Sequence, residues 1–148
     1  ETPSAGTKNN IIDYITIAST GDAADFGDLT TAVSNFAGTS SPTRAVWGGG
    51  STPTVLNTID YVTIASTGDA TDFGDLAFST NNGKINAMSG LPSATRVVMP
   101  GGDTFSSGGI NTIEYVEIAT TGNSIDFGTL ATRGKSGVSG FSNGHGGL

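Results

Sequence analysis

Asp22, Asp25 and Asp28 stand three residues apart, and Asp69, Asp72 and Asp75 repeat that spacing further along the chain. Grouped carboxylates invite a calcium ion, which gathers several carboxylate and carbonyl oxygens around itself. A third passage reads Asn123, Asp126 and Thr129, keeping the oxygens and losing charge, and neither an EF-hand loop nor a nonapeptide calcium repeat accompanies any copy. Asp side chains also accept hydrogen bonds from the amides of their own turns. That reading suits Asp25, Asp72 and Asp126, which recur in every copy. We therefore expect no metal and no cofactor.

His145 is the single histidine, and with Ser and Asp abundant a hydrolase triad can be drawn on paper. Its position argues otherwise. Fifteen residues separate Leu130 from His145, as they separate Leu29 from Arg44, so His145 fills a recurring slot that also holds Arg44 and Arg96. For those arginines a solvated or bridging ion pair is the plainer role. Trp47, the one tryptophan, could stack on a sugar, yet Met99 and Leu148 occupy its equivalent positions, which favours packing within a strand. Cysteine is absent, removing disulfides, thiol catalysis and cysteine metal sites together. With no acid, base and nucleophile converging outside repeated positions, the chain is expected not to be an enzyme.

These residues belong to a phrase written three times: IDYITIASTGDAADFGDL from Ile12, IDYVTIASTGDATDFGDL from Ile59 and IEYVEIATTGNSIDFGTL from Ile113. The first two copies agree at 16 of 18 positions. Self-similarity at a spacing of tens of residues marks a repeat architecture, whose units cannot bury their apolar faces alone and must stack on neighbours. Cutting after the glycine clusters WGGG and MPGG gives units 1–50, 51–102 and 103–148.

Within a unit, Ile59 to Ala65 is rich in β-branched and aromatic residues and free of Gly and Pro, which predicts a strand with both faces largely apolar. STGD then turns the chain, and DFGDL predicts a short second strand whose Phe26, Phe73 or Phe127 packs on the sheet. TRAVW and TRVVM predict a further strand ended by glycines, and a weaker one around NFAG and NAMSG brings the count to about four per unit. The third unit finishes in GHGGL, read as a closing strand at a C-terminus. The expected repeat core comprises Tyr14, Ile17, Phe26, Trp47, Tyr61, Ile64, Phe73, Tyr115, Ile118 and Phe127. No window shows a helical period, so the fold class is all-β.

A net charge of −7 would repel phosphate backbones and anionic lipid heads, so nucleic-acid partners are not expected. No apolar run is long enough to predict membrane insertion. The start at Glu1 suggests a processed or excised piece. Sequence varies most in the openings ETPSAGTKN, STPTVLN and DTFSSGGIN and around STNNGKINA, where a binding surface would be placed on a repeated scaffold.

An apolar strand ending in a glycine pair, then a strand carrying Tyr, then an aromatic residue beyond the next turn, resembles the plan of kelch-type repeats. The matching residues are Gly49 and Gly50 before Tyr61 and Phe73, and Gly101 and Gly102 before Tyr115 and Phe127. Phe stands where kelch repeats usually carry Trp, and the gap of 12 residues from Tyr to Phe is longer than usual, which marks a divergent branch. The wording NTIDYVTIASTGDATDFGDL, SSPTRAVWGGG and SNGHGGL is similar to kelch-like arrays in virion structural and tail-fibre proteins of marine bacteriophages.

The resemblance implies three kelch-like repeats forming four-stranded, β-propeller-type blades. A propeller typically needs about four to eight blades to close. Three units therefore imply a piece of a longer array, a ring of several chains, or a trimeric β-fibre or prism. Uncovered sheet edges and apolar faces at the repeat ends predict a homo-oligomer. The copper chemistry of a kelch-type oxidase needs a cysteine linked to tyrosine, which this chain lacks. The implied role is a structural and adhesive module of a phage tail fibre or other extracellular fibre, in a virion or outside the cell. Its loops would recognise a host-surface glycan or protein receptor; the alternative is a protein-binding scaffold of kelch type.

Overall fold

The computed structural model describes residues 8–77, 89–104, 108–132, 140 and 142. The protein is all-β, and its sheets do not close into a barrel. Strands β1 (Ile11–Tyr14) and β2 (Ala24–Asp28) form a two-stranded antiparallel sheet. Next come β3 (Ala37–Ser40), β4 (Arg44–Gly48), the small hairpin β5 (Ser51–Thr52) and β6 (Thr54–Val55), then β7 (Thr58–Thr63) and β8 (Thr71–Asp75). The chain continues as β9 (Leu91–Pro92), β10 (Arg96–Pro100), the hairpin β11 (Asp103–Thr104) and β12 (Gly108–Gly109), β13 (Thr112–Glu117) and β14 (Ile125–Thr129).

Two four-stranded antiparallel sheets result, in the orders β3-β4-β7-β8 and β9-β10-β13-β14. Each straddles a boundary between sequence units, because β4 pairs with β7 across Gly50 and β10 pairs with β13 across Gly102. The glycines make that crossing. Gly49 and Gly50 have φ of 71° and 100°, and Gly101 and Gly102 have 65° and 112°, a region that side chains resist. The chain leaves the sheet there, makes a short hairpin, and returns to pair beside the strand it left.

The strand reading of IDYVTIA holds for β7 and β13 as far as Thr63 and Glu117; both are central in their sheets, with Ile59, Val62 and Val116 buried and the carboxyls of Asp60 and Glu114 buried beside them. DFGDL forms β2 and β8, its third copy DFGTL forms β14, and TRAVW and TRVVM form β4 and β10. The weaker strand lies two residues later than NFAG predicts, over Ala37–Ser40; its repeat equivalent is Leu91–Pro92, and most of NAMSG lies outside the described residues. Ser41 and Ser93 set this register. Each Oγ accepts the amides two and three residues ahead, at 3.2 and 3.1 Å for Ser41 and 3.3 and 2.9 Å for Ser93. Glycine, Asn and Phe at the expected site offer no such lock. The hairpins β5–β6 and β11–β12, inside the variable openings, were too short to leave a period in the sequence.

One apolar core joins the two large sheets through Ala37, Val46, Ile59, Phe73, Leu76, Val97, Met99, Val116 and Ile118. The expected repeat core needs correction. Phe73 and Ile118 are buried, while Phe26, Trp47, Tyr61 and Tyr115 are half-buried. Tyr14, Ile17, Ile64 and Phe127 are exposed. Position along the stack explains the split. Exposure at one repeat position falls from 95% at Ile17 through 42% at Ile64 to 4% at Ile118. Only the last is covered by a complete preceding sheet, since the β1–β2 sheet has no counterpart of β3 and β4 among the described residues. Phe127 is 54% exposed against 2% for Phe73, because β14 has no sheet beyond it there. The GHGGL strand, His145 and Leu148 lie outside the described residues.

Candidate functional site

The residues with chemistry gather at the seams between successive sheets. At the first seam, the outer edge of β2 meets the turn after β7: Gly68 N donates to Phe26 O at 2.7 Å and Ala70 N to Asp28 O at 2.7 Å. Asp28 N donates in return to Asp69 Oδ1 at 3.1 Å. The second seam repeats the set one unit later. Gly122 N donates to Phe73 O at 2.7 Å, Ser124 N to Asp75 O at 2.9 Å, and Asp75 N to Asn123 Oδ1 at 3.0 Å. A strand edge is thus satisfied by a turn, and the Asp or Asn after the turn glycine plays the part of a backbone carbonyl.

Beneath each seam lies a carboxylate. Thr30 Oγ1 donates to both oxygens of Asp60, at 2.9 and 2.7 Å, and Thr30 N to Oδ2 at 3.3 Å. At the equivalent place, Ala77 N donates to Ser124 Oγ at 2.8 Å, and Ser124 Oγ to Glu114 Oε2 at 3.0 Å. Burial pushes the Asp60 carboxyl above its ordinary range; the Thr30 hydrogen bonds pull it down, and the charge of Asp72 adds to the rise. Both carboxylates are buried and hydrogen-bonded, the arrangement that lets an apolar core hold a charge.

Tyr14–Phe26, Tyr61–Phe73 and Tyr115–Phe127 each meet edge to face, with ring centroids 5.9, 5.6 and 6.0 Å apart. Arg44 lies over the Tyr61 ring at 4.5 Å and Arg96 over Tyr115 at 4.6 Å. Arg44 then reaches across the second seam, Nη1 donating to Ile118 O at 2.7 Å. Arg96 instead pairs with exposed Glu117 at 2.6 Å. The expected ion pair forms at Arg96, whereas Arg44 bridges to a backbone carbonyl, and stacking on a tyrosine is common to both.

The aspartates do not come together as a calcium site. Among the described residues no three His, Cys, Asp or Glu side chains group so as to hold a metal ion. Asp72 and Asp126 accept the amides of Gly74 and Gly128 at 3.1 and 2.9 Å, locking the bulges where β8 and β14 change register. Asp69 serves the seam, while Asp22, its equivalent, bonds no other sheet among the described residues. The seam roles of Asp69 and Asn123 escaped the sequence reading, which took STGD for a turn alone. The glycine of DFG, standing six residues after a turn glycine in every copy, was the signal that could have found them.

Beside each turn sits a shallow recess. One, of about 160 Å³, is lined by Tyr61, Thr63, Thr67, Gly68 and Asp69, and its repeat, of about 170 Å³, by Phe73, Glu117, Thr121, Gly122 and Asn123. Both fall below the ~300 Å³ at which small-molecule pockets begin. Compared with known proteins, the chain matches no family model and no curated protein.

Proposed function

We propose that this chain is a non-enzymatic structural and adhesive module of an extracellular fibre, such as a phage tail fibre. In this reading the repeated sheets supply shape, and the variable hairpins supply weak, multivalent contact with a surface glycan. The observation that carries it is where the polar side chains go: Asp72 and Asp126 each hold a bulge, and Asp69 and Asn123 each hold a seam. A scaffold whose side chains are committed to holding sheet on sheet has its freedom of sequence in the hairpins β5–β6 and β11–β12. The kelch resemblance supports the same role.

The test displays the chain in many copies on beads and, separately, as single chains, over a panel of immobilised glycans. Retention of beads but not of single chains is expected, because linked weak sites gain avidity without any strong one. Replacing residues 51–56 with a Gly/Ser segment should reduce it. Turnover of a glycan would overturn the non-enzymatic reading, and tight binding of a single chain to a soluble intracellular protein would favour a scaffold.

A further inference from the structure

The two ends of the described stack carry the two halves of the seam. On one end, Gly21, Asp22 and Ala23 are the repeat equivalents of Gly68, Asp69 and Ala70, and of Gly122, Asn123 and Ser124. Among the described residues, their amides and carboxylate enter no hydrogen bond with another sheet. On the other end, Phe127 and Thr129 are the equivalents of Phe26 and Asp28, and of Phe73 and Asp75. They too make no bond across a seam among the described residues, and a Cβ on Gly128 would meet nothing within 4 Å, whereas one on Gly27 or Gly74 would strike the next turn.

We infer that a second copy of this chain docks head to tail, the turn Gly21–Ala23 of one copy sealing the β14 edge of the other. Gly21 N and Ala23 N then donate to Phe127 O and Thr129 O, and Thr129 N donates to the Asp22 carboxylate, as the two seams inside the chain already do. Arg96 takes the place of Arg44 and meets the backbone carbonyl of Ile17, the equivalent of Ile118. The occupant is argued from continuity. The donor set and the acceptor set are written in one sequence, they fit each other twice within the chain, and the unmatched pair is left at opposite ends. Apolar exposure agrees, since Ile17 at 95% and Phe127 at 54% are the residues such a seam would cover. The contact is heterologous, so it propagates into a ring or a filament, set by the rotation per copy. This inference goes beyond the adhesive role and stands on the seams alone.

Sedimentation of the full chain over a range of concentrations tests it. The wild type should sediment as more than one chain, increasingly so with concentration. Ile17→Glu and Phe127→Glu alter side chains exposed in the single chain, so each should stay folded by circular dichroism; Thr129→Pro, which removes an outward amide at a strand edge, is the second variant of its face. Each alone should weaken association by tenfold or more. An equimolar mixture of Ile17→Glu and Phe127→Glu should recover a complex of two chains and stop there, because each brings one intact face. A wild type that remains a single chain at the highest concentration, or variants that associate like the wild type or fail to complement when mixed, would overturn the inference. Glycan retention of the beads is measured separately, so loss of the adhesive reading leaves this outcome untouched.

Discussion

Gly74 and Gly122 approach so closely that a Cβ on Gly74 would stand 2.5 Å from the Gly122 carbonyl oxygen. The same relation joins Gly27 to Gly68, at 2.4 Å. Both DFG glycines also have positive φ, 146° for Gly74 and 150° for Gly27. Gly128 has φ 142° and no neighbour within 4 Å of an added Cβ, so it carries the backbone requirement without the contact. Gly74→Ala therefore combines backbone strain with a clash against main chain that cannot rotate away, and should cost about 3 kcal/mol or more. Gly128→Ala should cost about 1–2 kcal/mol, from the φ alone. Denaturant titration of both variants checks the pair; equal losses would mean that the seam yields easily to a methyl group.

Ser41 is buried and its Oγ holds the amides of Thr43 and Arg44, while Ser93 does the same for Thr95 and Arg96 in a more open setting. Ser41→Ala leaves two donors without their acceptor and should destabilise by about 1–2 kcal/mol, with Ser93→Ala nearer 0.5–1 kcal/mol because water can reach its turn. Urea midpoints at constant m-value would show it.

Much of this fold was legible because period and composition act locally. The β-branched and aromatic run from Ile59 to Thr63 dictates a strand, and the paired glycines at 49–50 and 101–102 end one, without help from distant residues; the return of the chain across those glycines into the same sheet was not legible. The seams were not legible, for a physical reason. Asp69 and Asp72 are the same residue type three positions apart, yet one bonds the preceding sheet and the other its own bulge. That difference is decided by which backbone amide lies within about 3 Å after folding, which no local pattern encodes. Burial of the repeat core failed for a related reason. Ile17, Ile64 and Ile118 are identical in the sequence and differ only in what covers them.

Asp60 gives a pH dependence with a definite sign. Burial raises its pKa above the ordinary 3.8, so the folded protein binds this proton more tightly than the unfolded chain does. The contribution of Asp60 to stability is then fully present below 3.8 and is lost as pH rises through the raised value. Asp60→Asn removes that proton and keeps an oxygen for Thr30. Its stability relative to wild type should therefore improve from acid toward neutral pH, as measured by denaturant titration at several pH values. A difference that is flat, or that runs the other way, would place the carboxylate in a more solvated setting than its 8% exposure indicates.

Arg44 and Arg96 occupy one repeat slot and stack on equivalent tyrosines, yet only Arg44 donates across a seam, to Ile118 O at 2.7 Å. Removing it deletes a charged hydrogen bond, uncovers the Tyr61 ring, and leaves the carbonyl of buried Ile118 short of a donor. Arg44→Ala should cost about 2 kcal/mol. Arg44→Lys should recover only part of that, because an ammonium cannot lie flat on the ring while reaching the carbonyl. Arg96→Ala should cost distinctly less in the single chain, since its partner Glu117 is exposed and water replaces the pair. The asymmetry should shrink in the associated form, where Arg96 gains the Ile17 carbonyl of the next copy. Comparing both alanine variants by denaturation at low and high protein concentration separates the two cases: a gap that stays the same at every concentration would leave Arg96 without a seam of its own.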